Sequence, residues 1–192
     1  MRPLFIAFAV VGCGLVTLTA ARPASFHYEW KVEVSAPVEV VERQLVDLHR
    51  WVSWSPYDRF DHDMERTFGG PDSGAGASLA WRGDHRVGAG HVVLTRVTPG
   101  KVVLALMLVD RPIRSASIAT FSLATPRPGI TEVTWQVDGQ ASLLNRLLMG
   151  LGILEGHLRG KLIVGLQTLK HVAEAEAAAQ QRVSEGPPVP TN

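Results

Sequence analysis

A short acidic stretch offers the first group of side chains that could do chemistry. It contains Asp58, Asp61, His62, Asp63 and Glu65. Carboxylates and an imidazole at this spacing could bind a hard cation or a metal with mixed ligands. No second cluster in the sequence has a complementary spacing. A solvated loop is the simpler interpretation, so the sequence predicts no metal site.

His157 is the histidine best placed for acid–base chemistry. It follows Leu154 by three residues, at the flank of an apolar helical stripe, and imidazole titrates near neutral pH. Its partner would be a strand carboxylate such as Glu132 or Asp110, but Glu132 falls on the opposite strand face from Trp135. A half-exposed boundary position is the alternative for His157, and the catalytic residues stay unknown.

Several other chemistries lack the residues that they require. The one cysteine, Cys13, lies in an apolar N-terminal run, so the rest of the chain has no thiol for a disulfide, a nucleophile or a zinc site. The glycine-rich loop at 69–76 lacks the Lys-Ser/Thr of a phosphate loop, and no Gly-x-Ser-x-Gly occurs. A formal net charge of +1 with scattered Lys and Arg argues against a nucleic-acid surface. We therefore expect no cofactor and no nucleic-acid partner.

Four tryptophans are the remaining candidates. Trp51, Trp54, Trp81 and Trp135 each contribute a large apolar area and one N–H donor wherever they face inward. They could seal the ends of a core or line a cavity, and the residues alone leave both interpretations open. Trp135 is the best candidate to point inward, because it lies mid-strand on an apolar face.

A long periodic stretch near the C-terminus must position these side chains. Between Leu143 and Ala179, leucines recur at three- and four-residue intervals, which predicts one amphipathic helix of about ten turns. We expect its first part, Leu147 to Leu158, to face a cavity, and Leu162 to Leu169 to pack on a sheet. The leucines of the stripe are Leu144, Leu147, Leu148, Leu151, Leu154, Leu158, Leu162, Leu166 and Leu169.

The upstream half of the chain predicts a sheet for this helix to pack on. Residues 26–34 alternate apolar and charged side chains, which is typical of a strand with one wet face. Pro37 is predicted at the first position of a helix that ends near His49, and an aromatic segment follows. From residue 65 to 137, apolar stretches separated by Gly and Pro turns predict an antiparallel meander, with a loop at 125–129. The predicted fold is α+β, a curved antiparallel sheet of about six or seven strands wrapped on the long C-terminal helix, with two short helices after the first strand.

The chain divides into a leader, one domain and a tail. Residues 1–24 contain Arg2 and an uncharged apolar run, which is either a signal peptide cut after Ala21 or an uncleaved membrane anchor. The length of the run favours the anchor, and Arg2 predicts that the following domain is exported. The domain would then face the periplasm or the cell exterior, or be periplasmic if the leader is cleaved. Residues 25–180 form the domain, and the Pro- and Gly-containing residues 181–192 are predicted to be disordered.

The order and spacing of these elements resemble a known superfamily, the START-like, Bet v 1-like helix-grip proteins, and most closely their bacterial polyketide cyclase/dehydrase and lipid transport branch. The resemblance covers about residues 28–172. Its motifs are Ser35-Ala36-Pro37, Trp51-Val52-Ser53-Trp54-Ser55-Pro56, Gly74-Ala75-Gly76-Ala77 with Trp81-Arg82-Gly83, Gly88-Ala89-Gly90, Thr131-Glu132-Val133-Thr134-Trp135 with Gly139, and Gly165-Leu166-Gln167-Thr168-Leu169-Lys170. The resemblance is specific for the fold and brings no shared catalytic residues.

Three functions are compatible with this resemblance. It implies binding, or binding and transport, of a small apolar or lipid-like molecule in a cavity between the sheet and the long helix. One alternative is a cyclase or dehydratase acting on a polyketide-like or other hydrophobic substrate, and another is an interaction domain without a ligand. The membrane would be a partner through the N-terminal segment. The residues expected to line the cavity are Trp51, Trp54, Trp81, Leu106, Phe121, Trp135, Leu151, Leu154 and His157.

Overall fold

Seven antiparallel strands and three α-helices make up the part of the chain that the structure describes. The computed structural model describes residues 24–58, 60–111, 113–141, 146 and 153–185, and in the last helix the side chains of 159–184. The elements are β1 (Ser25–Val34), α1 (Val38–Val46), a 3₁₀ turn (Leu48–Arg50), α2 (Trp51–Trp54), β2 (Glu65–Gly69), β3 (Ser78–Arg82), β4 (Ala89–Thr98), β5 (Val102–Arg111), β6 (Ser115–Arg127), β7 (Ile130–Gln140) and α3 (Ile153–Glu185). This arrangement confirms the predicted α+β helix-grip architecture.

The strands form one sheet in the order β1-β7-β6-β5-β4-β3-β2. From β2 to β7 each strand pairs with its neighbour in the chain, as short connections favour. β1 closes the sheet by pairing with the last strand, where Trp30 lies opposite Trp135 and Val32 opposite Val133. Because β1 and β7 are far apart in the sequence, their pairing brings the beginning of the domain beside its last strand.

The alternation of side chains along the strands defines an inner face that packs on the helices. On β6, Ala119, Phe121 and Leu123 are buried while Ile118 is 46% exposed. On β7, Val133 and Trp135 are buried on the same side. These residues belong to one core together with α1, α2 and the second half of α3. The inner face is therefore the side on which a cavity could form.

The β6–β7 hairpin is longer than the sequence predicts. The predicted loop at 125–129 shrinks to a turn at Pro128 and Gly129, because Arg127 pairs with Ile130. Gly129 has a φ of 72°, a left-handed conformation that glycine adopts without strain. A register shift between Ala124 and Arg127 absorbs the extra residues, as a bulge does. At its other end β7 continues to Gln140, past the predicted end at Val137.

The first helix is shorter than the sequence predicts. Pro37 is its N-cap rather than its first residue, and the helix ends at Val46. The Asp47 side chain accepts a hydrogen bond from the His49 backbone N–H at 2.9 Å, and this bond starts the 3₁₀ turn instead of another α-helical turn. The short helix α2 follows directly and carries Trp51 and Trp54 into the core.

Helix α3 lies across the inner face, and hydrogen bonds made by its charged side chains fix it at two places. The Glu176 carboxylate accepts hydrogen bonds from Arg43, Gln44 and Arg50, of which Gln44 is 1% exposed. Near the end of β1, the Glu174 carboxylate accepts the Ser35 N–H at 2.8 Å and the Lys170 ammonium donates to the Glu33 carbonyl at 2.8 Å. The charged side chains of Lys170, Glu174 and Glu176 thus set the position of α3 on the sheet.

The long helix extends past its predicted end at Ala179. α3 continues to Glu185, so the tail predicted from residue 181 begins inside the helix. The predicted start at Leu143 lies outside the described residues, as does the predicted leader up to residue 23. Among the residues that the structure does describe, no helix is both long enough and apolar enough to cross a membrane.

Candidate ligand-binding site

Two adjoining cavities lie between the inner face of the sheet and the helices. The smaller, of about 40 Å³, lies under α2 and reaches Leu79 and Val92 on strands β3 and β4. The larger, of about 120 Å³, extends along β5, β6 and β7 to Lys161 and Leu162 of α3. Both are lined by Pro56, Tyr57, Met107 and Trp135. These volumes are smaller than the several hundred Å³ of a drug-sized pocket, because aromatic side chains fill the centre of the core.

Trp51 and Trp54 form the aromatic centre of that core. Their ring centroids are 5.0 Å apart, and both rings meet Phe121 edge-on, at 6.0 and 6.1 Å. Each indole N–H donates to a backbone carbonyl at 3.0 Å, that of Trp51 to Leu45 and that of Trp54 to Gln44. These two N–H donors are therefore already hydrogen-bonded within the protein and are not free for a ligand.

Trp81 and Trp135 differ from that pair in having unused donors. Both indole N–H groups are buried, and neither has a hydrogen-bond partner. Both side chains line the smaller cavity, and Trp135, which is 4% exposed, lines the larger one as well. A buried donor without a partner costs about 1–3 kcal/mol of stability. Such groups are rare in folded proteins and call for a specific explanation.

Two glycines allow the tryptophans to occupy these positions. Gly90 pairs directly with Trp81, and a Cβ at Gly90 would lie 2.7 Å from the Trp81 ring and 2.3 Å from the Leu108 carbonyl oxygen. On α3, a Cβ at Gly165 would lie 3.0 Å from the Trp135 ring and 3.1 Å from Pro56. Close backbone approach at both places positions the walls of the cavities.

Tyr57 and Lys161 bring titratable groups to the larger cavity. The Lys161 ammonium lies 4.8 Å from the centroid of the Tyr57 ring and 5.5 Å from that of Phe60, within cation–π range. Burial lowers the pKa of Lys161 and raises the pKa of Tyr57. In both cases desolvation disfavours the charged form.

Asp58 closes one side of the smaller cavity and is engaged with Arg66. The Arg66 guanidinium donates to the Asp58 carboxylate through Nε, at 2.8 Å, and also through Nη2. Its Nη1 donates to the Met64 carbonyl at 2.8 Å. Burial raises the pKa of Asp58, although the bonds from Arg66 act in the opposite direction. The pair joins the loop after α2 to β2, which is a structural role.

The comparisons with known proteins bear on the fold. No family model and no curated protein matches the chain, but solved structures do. The Zhui aromatase/cyclase from Streptomyces sp. R1128 superposes with a TM-score of 0.59 at 17% identity, over 84% of this chain and 99% of that one. The chain has the START-like, Bet v 1-like helix-grip fold. Ginseng major latex-like protein 151 from Panax ginseng shares this helix-grip fold with a TM-score of 0.55 at 9% identity, covering 79% and 99% of the two chains. Aha1 from Colwellia psychrerythraea gives 0.55 at 16% identity, covering 78% and 96%.

Within this helix-grip fold, the tryptophans predicted for the site lie around the smaller cavity. Trp51, Trp54, Trp81 and Trp135 all line it, and Phe121 is fully buried behind them. Leu106 does not line either cavity. It pairs with Ile118 on the outer side of the sheet, and its neighbour Met107 faces inward instead.

The other predicted groups either lie outside the described side chains or lie away from the two cavities. Leu151 lies outside the described residues, and the side chains of Leu154 and His157 do too. Asp110 is exposed and Glu132 points away from the inner face. In the predicted acidic loop, Asp61 accepts the Asp84 backbone N–H at 2.8 Å. Among the described residues no three His, Cys, Asp or Glu side chains are grouped for a metal ion.

Tyr57, Met107 and Lys161 line the larger cavity and were not among the predicted site residues. The sequence carries one signal for Lys161, a cation directly beside Leu162 on the apolar stripe of the helix. Met107 lies in a strand that is apolar on both faces, so its direction could not be predicted. Tyr57 follows Pro56 in the aromatic segment, where neither strand nor helix periodicity applies.

Proposed function

We propose that this domain binds a compact apolar molecule that carries an acceptor oxygen, in the space between the inner face of the sheet and α3. The observation that carries the proposal is the buried, unpartnered indole N–H of Trp135, whose side chain lines both cavities. The indole N–H of Trp81, whose side chain lines the smaller cavity, is unpartnered as well. A carbonyl or similar oxygen on a bound molecule would accept from these donors and remove the penalty of leaving them unsatisfied.

The size and chemistry of the walls support a ligand of this kind. Most of the lining residues are apolar, including Met107, Val109 and Val137, so burial of an apolar body supplies the driving force. An apolar cavity of about 150 Å³ is known to bind benzene, and the two adjoining cavities, of about 40 and 120 Å³, together offer a comparable volume. A body of about one ring therefore suits the space that the described residues enclose.

The shared fold gives general support. One structure with this fold is named an aromatase/cyclase. The likeness is one of fold, so the identity of a ligand must come from this chain's own residues.

The role of Trp135 can be tested with two probes, toluene and benzamide, in which the methyl group of the first is replaced by a carboxamide with an acceptor oxygen. The measured quantity is the ratio of the affinity for benzamide to the affinity for toluene. This ratio is expected to be about 3- to 10-fold higher in wild-type protein than in Trp135→Phe, because a net hydrogen bond contributes about 0.5–1.5 kcal/mol. The measurement is a titration followed by calorimetry or by chemical shifts.

Trp51→Phe is the matched control for this experiment. Its indole N–H is bonded to Leu45, so this variant should leave the ratio of the two affinities as it is in wild type. The proposal fails if Trp135→Phe also leaves that ratio unchanged, or if neither probe binds wild-type protein.

A cyclase or dehydratase activity is the second candidate. The observation that favours it is the presence of two titratable groups with displaced pKa values, Tyr57 and Lys161, at the same cavity. The lowered pKa of Lys161 favours its neutral amine, which could serve as the base, and the raised pKa of Tyr57 favours its protonated phenol, which could serve as the acid in an enolisation. This candidate requires that a ketone-bearing probe is chemically changed by the protein, which mass spectrometry of the probe after incubation would reveal.

A further inference from the structure

Among the described residues that line the larger cavity, Lys161 is the one that carries a charge. The other described residues of this lining are apolar or neutral, and none of them is a carboxylate. Among the described residues, no Asp or Glu forms an ion pair with Lys161. Lys161 is half-buried, and within the described part of the chain its ammonium has no counter-charge of the kind that buried charges usually have.

The position of this ammonium is fixed by rings rather than by an anion. Tyr57 and Phe60 hold it at 4.8 and 5.5 Å from their centroids. Burial lowers the pKa of Lys161, which is what desolvation without a compensating charge does. An anion brought to the same place would favour the charged form of the amine.

Asp58, the charged residue in the described lining of the smaller cavity, does not supply Lys161 with a counter-charge. Asp58 lines only the smaller cavity, and its carboxylate is engaged by the Arg66 guanidinium. Two hydroxyl-bearing residues, Ser115 and Ser117, line the same larger cavity as Lys161. The cavity thus combines an apolar wall, a cation and hydroxyl groups.

We propose that Lys161 is an anion-binding residue and that the ligand is an apolar carboxylate whose carboxyl group meets the Lys161 ammonium. This inference rests on the proposed function, because it places the ligand body in the same cavities. A carboxylate fits better than a phosphate, since one ammonium balances one negative charge and a second charge would remain buried without a partner. The remaining carboxyl oxygen would face the neutral donors of the cavity.

The test compares benzoate with benzamide, which have the same size and differ in charge. On the purified full chain, benzoate is expected to bind about 10- to 100-fold more tightly than benzamide, the range given by a hydrogen bond to a charged group. Lys161→Met, which keeps a linear apolar side chain, should abolish this preference. Lys161→Arg should restore part of it. Thermal unfolding of each variant confirms that it is folded.

The outcomes separate the two proposals. A preference for benzoate that disappears in Lys161→Met supports the anion-binding role. Equal binding of benzoate and benzamide to wild-type protein overturns it while leaving the proposed function in place. A preference for benzoate that survives in Lys161→Met also overturns it. Failure of both compounds to bind overturns both proposals.

Discussion

Replacing Trp54 by alanine is expected to lower the free energy of unfolding by about 3–5 kcal/mol, the range for removing a buried aromatic side chain. Trp54 is 1% exposed and contacts the rings of Trp51, Phe121 and Trp135 at centroid distances of 5.0 to 6.1 Å. The substitution removes these contacts, and it also leaves the Gln44 carbonyl without the indole donor. Urea denaturation followed by far-ultraviolet circular dichroism measures the change.

Val52→Ala is the matched control for that prediction. Val52 lies on the same short helix but is 44% exposed, so its truncation should change the free energy of unfolding by no more than about 0.5 kcal/mol. A loss below about 1 kcal/mol in Trp54→Ala would contradict the view that this aromatic cluster is the centre of the core.

Gly90→Val is expected to destabilise the domain by about 3 kcal/mol, the upper part of the range for overpacking. A Cβ at this position would lie 2.3 Å from a backbone oxygen, that of Leu108, which cannot move aside without distorting the sheet. It would also displace the Trp81 ring from the wall of the smaller cavity. The variant should therefore lose toluene binding along with stability.

His91→Val provides the comparison for Gly90→Val. His91 is the next residue on β4, faces the outer side and is half-buried, so a β-branched residue there suits the strand. Its free energy of unfolding should stay within about 0.5 kcal/mol of wild type. If Gly90→Val were as stable as His91→Val, the close approach of Trp81 to β4 would not be a constraint on the fold.

The fold could be predicted because its periodic signals are strong. Alternation in β1 places Tyr28, Trp30 and Val32 on one face, and in the structure β1 pairs with β7 so that these three residues lie opposite Val137, Trp135 and Val133. In α3, Leu162, Leu166 and Leu169 are buried at the spacing that the leucine stripe predicts. Periodic patterns of this kind identify a strand or a helix correctly even when its predicted ends are wrong by a few residues.

The ends of the elements were less predictable because single polar contacts decide them. Asp47 ends α1 through its bond to His49, and pairing of Arg127 with Ile130 extends the β6–β7 hairpin. Glu176 fixes α3 through Gln44, a contact between residues far apart in the sequence. Such contacts depend on the tertiary structure and leave no periodic signal.

The site was predicted only in part for a similar reason. The four tryptophans selected from the sequence line the smaller cavity, but aromatic residue type alone does not decide this, because Trp30 and Phe121 line neither cavity. Strand β5 is apolar on both faces, so the pattern could not distinguish Leu106 from Met107. Whether an indole N–H has a partner depends on the carbonyls around it, which is why Trp51 and Trp54 differ from Trp81 and Trp135.

The most direct test follows the indole N–H resonances of the five tryptophans in ¹⁵N-labelled protein during a titration with benzamide. We expect the Trp135 signal to move downfield most, and that of Trp81 to move with it, as their protons gain an acceptor. The signals of Trp51 and Trp54 should stay nearly in place, because their protons already bond to Leu45 and Gln44. Trp81→Phe and Trp135→Phe assign the signals. Indole signals that all stay unchanged at millimolar benzamide, or a response limited to Trp30, which lines neither cavity, would contradict the account.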